Sequence, residues 1–176
     1  MRSIVLKHQP QHNFTVDPRP QGRSKNDRLK EGARLQALDG ASLQYAALPY
    51  RLGEHLEILL ITSRQTGRWI LPKGWPMRGK KPHVCAAQEA MEEAGVKGRI
   101  GKSAVGSYHY LKRLPNDAAI PCSVQVFPLM VQRQSKRWPE QGQRSFGWFD
   151  AADAAALVEE EELGDLIEAF AAQQAG

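Results

Sequence analysis

Residues 88–96 read Gln88-Glu89-Ala90-Met91-Glu92-Glu93-Ala94-Gly95-Val96, and the segment leading in reads Leu71-Pro72-Lys73-Gly74-Trp75-Pro76. On a helix Glu89, Glu92 and Glu93 stand at i, i+3 and i+4, which predicts three carboxylates on one face. Like charges so close repel one another, and a solvated helix gains nothing by gathering them. A hard cation such as Mg2+ gives them a reason to converge, because it takes oxygen ligands and keeps waters and substrate phosphates as its other partners. Gly95 suits the left-handed cap that ends such a helix, and Pro82 suits its first turn. A bare Glu-x-x-Glu-Glu is more often a solvated helix face than a metal site. The spacing around it changes that balance.

From Gly74 to Val96 the chain resembles the Nudix box, the signature of the Nudix hydrolases. That pattern runs Gly, five residues, Glu, seven residues, Arg-Glu, a bulky aliphatic, any residue, Glu-Glu, any residue, Gly and an aliphatic. Gly74, Glu89, Glu92, Glu93, Gly95 and Val96 fall in register with it. Three positions depart: Lys80 stands for the first Glu, Gln88 for the Arg and Ala90 for the bulky aliphatic. The resemblance implies that Glu89, Glu92 and Glu93 bind the divalent metal, Mg2+ or Mn2+, with Gly74 and Gly95 as structural positions. It also implies that the altered residues belong to the brace around the site. Gln88 can donate a hydrogen bond but cannot form an ion pair, and Lys80 reverses the sign at its position.

A finer resemblance, to the diphosphoinositol polyphosphate phosphohydrolases, rests on Trp69-Ile70-Leu71-Pro72-Lys73-Gly74-Trp75, on Trp138-Pro139-Glu140, and on Arg144 and Trp148-Phe149. It covers roughly residues 40 to 170.

The formal charge of +5 hides an asymmetry. Up to Arg34 the chain carries eight Lys and Arg against Asp17, Asp27 and Glu31, and Arg64, Arg68, Lys73, Arg78, Lys80 and Lys81 precede the acidic helix. From Asp150 onward there is no Lys or Arg. A basic surround to a carboxylate-bound metal suits a polyphosphate, since cations hold the outer phosphates while the metal polarises the reacting one. No apolar run reaches the length of a membrane span and no signal peptide is legible. Cys85 and Cys122 lie in dissimilar contexts and form no metal pattern, so a reduced, cytoplasmic setting is expected.

Residues 1–35 are polar and rich in Pro, Gln and Arg, and read as a basic, flexible arm before a single domain over residues 36–176. Strands are expected over 43–50, 56–62 and 69–71, in a hairpin of 104–111 with 123–131 across Pro115-Asn116-Asp117, and at Gly147-Trp148-Phe149. Helices are expected in the box, over 151–158 and over 160–172. Periodicity alone supports a mixture of α and β. The resemblance implies an α+β fold, an α/β/α sandwich on a mixed central sheet.

The expected activity is metal-dependent hydrolysis of a phosphoanhydride bond. The substrate would be a nucleoside diphosphate-linked compound, a dinucleoside polyphosphate or a diphosphoinositol phosphate. Arg64, Arg68, Lys73, Arg78, Lys80 and Arg144 are the candidate substrate contacts. Glu89, or the loop carboxylate Glu140, is the candidate proton acceptor. Glu159 to Glu162 reads as a helix start, where negative charge suits the dipole. Two other classes stay open: a non-catalytic nucleotide or inositol-phosphate binding module with an altered box, and a protein acting on RNA through its basic arm. RNA is the less favoured partner, and oligomeric state is not legible.

Overall fold

The apolar runs of the sequence become the centre of a sheet. In the computed structural model, which describes residues 40–114 and 118–175, eight strands share that sheet. The basic arm, the boundary at residue 36 and the turn Pro115-Asn116-Asp117 lie outside the described residues. β1 (Ser42–Leu52), β2 (Leu56–Thr62), β3 (Trp69–Ile70) and β4 (Lys73–Gly74) precede helix α1 (Pro82–Ala94). β5 (Val96–Ile100), β6 (Gly106–Arg113), β7 (Ala119–Gln134) and β8 (Phe146–Asp150) follow, then α2 (Ala151–Leu157) and α3 (Glu161–Gln174). The spine runs β3-β2-β1-β7-β5, with β4 on β1, β6 on β7 and β8 on β2. β1 and β7 pair in parallel, and the other named pairs are antiparallel. The sheet is therefore mixed, as expected.

Strand alternation explains the layers. Ala46, Leu48, Ile58, Leu60, Val124 and Val126 face one side and pack on Ala154, Leu163, Leu166, Ile167 and Phe170 of α2 and α3. Tyr45, Ala47, Leu59, Ile61, Phe127 and Leu129 face the other and pack on Cys85, Ala86, Ala90 and Ala94 of α1. Central strands buried on both faces need continuous apolar sequence, which is what Ile58 to Ile61 supplies. The result is an α/β/α sandwich.

The box helix begins as read, with Lys81 as an extended N-cap and Pro82 in the first turn, and ends at Gly95, whose φ is 71°. A Cβ on Gly95 would also fall 2.6 Å from the Trp138 ring, so glycine is required twice over. That contact, with an edge-on packing against Phe146 at 5.9 Å, makes Trp138 a packing residue beside the helix end. β5 was not expected: only Val96 of its five residues is buried, and Lys97, Gly98 and Arg99 break any apolar alternation. It forms because its backbone completes an edge of β7, with a bulge at Lys97 and Gly98. β6 runs two residues further than the alternation indicated, to Arg113.

Candidate functional site

Helix α1 buries Cys85, Ala86, Glu89, Ala90, Glu93 and Ala94, a stripe of period about 3.6 whose small side chains let the helix sit close to the sheet. Glu89 and Glu93 belong to that stripe and are carried inside with it, at 5% and 6% exposure. Ala90, at the position where the resemblance expects a bulky aliphatic, is fully buried in the layer beneath α1.

Glu93 is held on both oxygens. Oε2 accepts the backbone N–H of Lys73 at 3.0 Å, and Oε1 accepts from Arg144 Nη2. Arg144 is itself only 8% exposed and donates on to Glu140 Oε2 and to the Thr62 carbonyl, both at 3.0 Å. One planar guanidinium thus ties α1, the loop before β8 and the end of β2 together. Glu89 lies against Gly74, where a Cβ would fall 2.2 Å from the carboxyl carbon and 2.3 and 2.7 Å from its oxygens. Gly74→Ala is expected to push that carboxylate aside. Turnover should fall by up to roughly 100-fold, with little change in melting temperature, as steady-state kinetics and thermal denaturation would report.

These groups open onto a cleft of about 870 Å³. Glu89 and Glu93 line it together with Arg64, Arg68, Lys73 and Arg144 of the expected contacts. Lys112, Arg113, Tyr110, Gln44 and the pair Glu159 and Glu160 line it as well. Lys112 and Arg113 were missed because the strand was expected to stop at Leu111. Their signal was an adjacent basic pair just short of Pro115.

The structure places the other expected residues as follows. Glu92 does not line the cleft; its Oε1 accepts from Gln88 Nε2 at 2.7 Å, one turn back along the helix. Among the described residues no three His, Cys, Asp or Glu side chains group closely enough to hold a metal ion by themselves. A shared face at i, i+3 and i+4 is wide enough for its members to take different partners. Lys80 and Arg78 are exposed and do not line the cleft; the Lys80 ammonium donates to Gln88 Oε1. Gln88 can accept from a cation and donate to a carboxylate at once, so the altered pair forms its own brace, Lys80 to Gln88 to Glu92. Glu140 is buried, outside the cleft lining, and its Oε2 accepts from Arg144 Nε. Arg144 lines the cleft, but its donors serve Glu93, Glu140 and Thr62 before any substrate. Arg68 Nη1 lies 2.6 Å from Glu160 Oε1 and 3.3 Å from Glu159 Oε2, so its charge is largely matched within the protein.

Lys73 differs. Among the described residues its ammonium makes no hydrogen bond or ion pair, and its contact is the Tyr110 ring, 5.0 Å to the centroid. Burial pushes it down to about 8; Glu93 and Glu160 oppose the shift, and Arg68 and Lys112 add to it. Burial likewise lowers Lys112, whose ammonium lies 4.8 Å from the Trp75 ring centroid. A desolvated, unpaired cation favours a multiply charged anion as its partner.

Known proteins resemble this chain over the same region. The NUDIX domain family model matches residues 43–170. Nudix hydrolase 21, chloroplastic, of Arabidopsis thaliana is 29% identical over 151 residues, covering 80% of this chain and 73% of that protein. Diphosphoinositol polyphosphate phosphohydrolase 2 of Rattus norvegicus is 38% identical, but over 65 residues only, 36% of each chain. An Ap4A hydrolase from C. elegans, solved as a binary complex, superposes with a TM-score of 0.56 at 21% identity, covering 76% of this chain and 98% of that one. That structure supports the fold, while the family model spans both the helix that buries Glu89 and Glu93 and the strands that shape the cleft. The chain belongs to the NUDIX family and is a Nudix hydrolase.

Proposed function

We propose that the protein hydrolyses a phosphoanhydride bond in a nucleoside diphosphate-linked compound, a dinucleoside polyphosphate or a diphosphoinositol phosphate, with Mg2+ or Mn2+ bound at Glu89 and Glu93. The observation that carries this is the pair of buried carboxylates, one helical turn apart, on a cleft that also presents Lys73, Lys112, Arg113 and Arg64. Their donors are oxygen only, and a hard cation is commonly held by one or two carboxylates with substrate phosphates and waters completing its shell. The close seat of Glu89 on Gly74 supports that fit, since it holds one donor in a fixed place. When bound, the metal would neutralise phosphate charge and make water a better nucleophile.

The chain's own residues do the rest. Glu89 accepts the proton of the attacking water, a role for which Glu140 is less well placed. Lys73 and its basic neighbours hold the outer phosphates and stabilise the charge that grows on the leaving group. Arg144 keeps Glu93 in place. A reduced, cytoplasmic setting is part of this proposal; Cys85 and Cys122 are both buried. None of the described helices is long and apolar enough to cross a membrane.

The test is product release from diadenosine polyphosphates, ADP-ribose, NADH and a diphosphoinositol phosphate, with Mg2+, with Mn2+ and with a chelator. Release from at least one compound, abolished by the chelator, is expected. A folded protein that binds no Mn2+ and releases nothing would overturn the proposal.

A further inference from the structure

Lys73 and Arg68 are like charges lining one cleft, so they repel one another. Something has to keep them there. Glu160 answers for Arg68 through its ion pair, but Lys73 has no carboxylate within ion-pair distance among the described residues.

The element common to both is Tyr110. Its ring centroid lies 5.0 Å from Lys73 Nζ and 5.5 Å from Arg68 Cζ, both within the range at which a cation is attracted by an aromatic quadrupole. The ring is itself fixed. Tyr110 stands on β6, and its hydroxyl donates at 2.7 Å to Oε1 of Gln44, a buried residue of β1 two strands away. Next to it, His109 donates its backbone N–H to Glu162 at 2.7 Å and so fastens β6 to the start of α3. The ring is therefore a rigid wall of the cleft, and a long, flexible lysine leaning on it loses little further freedom when a phosphate arrives.

We infer that Tyr110 is a positioning residue, holding the Lys73 ammonium, with Arg68 behind it, as a preset clamp for the outer phosphate of the substrate. This rests on the reading of the cleft as a polyphosphate site. It adds a residue that no spacing in the box indicates. The clamp acts on binding and not on the breaking bond, so its signature is in KM and in ligand affinity.

The experiment compares Tyr110→Leu, Tyr110→Phe, Lys73→Met and the double variant Tyr110→Leu/Lys73→Met. The first readout is calorimetric binding of tripolyphosphate in metal-free buffer, which needs no turnover. The second is the split between KM and kcat on whichever compound the protein hydrolyses. Tyr110→Leu is expected to weaken tripolyphosphate binding and raise KM by about 3- to 30-fold, with kcat nearly unchanged. Tyr110→Phe keeps the ring and should stay within about 2-fold of wild type. The loss from Tyr110→Leu should largely vanish in the Lys73→Met background, because the two residues act through one contact. Additive losses, or a Tyr110→Phe variant as impaired as Tyr110→Leu, would overturn the inference and leave a packing or Gln44-anchoring role. Thermal denaturation of each variant separates both results from misfolding. If wild type hydrolyses nothing yet the tripolyphosphate cycle shows coupling, the clamp stands and the proposed reaction does not.

Discussion

An Arg144→Ala variant is expected to lose about 3–5 kcal/mol of folding stability, the range seen when one partner of a buried ion pair is removed. The guanidinium is 8% exposed and sits between Glu93 and Glu140, which are buried as well. Without it two carboxylates stay inside with their shared cation gone, and the Thr62 carbonyl loses its donor. For a chain of this length that corresponds to a fall of roughly 6–20 °C in melting temperature. Arg144→Lys should recover only part of the loss, because an ammonium cannot serve three acceptors from one planar fork. Urea denaturation of the three proteins measures this directly. A change below about 1 kcal/mol for Arg144→Ala would place the pair in the weak class typical of solvent-exposed bridges.

Glu89→Gln should do the opposite, sparing the fold and removing the chemistry. The amide matches the carboxylate in size and fills the same space beside Gly74. It cannot accept the proton of water, and as a neutral donor it holds a hard cation poorly. A drop in kcat of about 10²–10⁴-fold is expected, with weaker Mn2+ binding and an unchanged melting curve. Near-normal turnover would remove Glu89 from the mechanism. Glu93→Gln is the less clean experiment, since that side chain also pairs with Arg144 and takes the Lys73 N–H. Stability and activity should fall together there.

The contrast between these two glutamates shows how far the sequence could be read. Both were found by register, since Gly74, Glu89, Glu93, Gly95 and Val96 keep fixed separations and a helix converts separation into a face. Burial of Glu89 and Glu93 also follows locally, because they share the stripe of Cys85, Ala86, Ala90 and Ala94. Glu92 had the same local standing and yet takes Gln88 as its partner. Arg68, read as a phosphate contact, meets Glu159 and Glu160 from more than 90 residues along the chain. Pairing at that distance leaves no trace in spacing.

What the sequence determined by itself was therefore everything that follows from short-range geometry. It set the apolar runs that must lie at the centre of a sheet, the start and stop of α1, the glycine beyond it, and the two carboxylates on its inner face. Only the tertiary structure decided which charges remain available to a ligand. Among the described residues Lys73 is left without a carboxylate partner while Arg68 and Arg144 are taken up, and Lys112, Arg113 and Tyr110 join the cleft from β6. The physical reason is that the availability of a charge depends on its desolvation and its nearest counter-charge, and both are set by segments that meet only when the chain has folded.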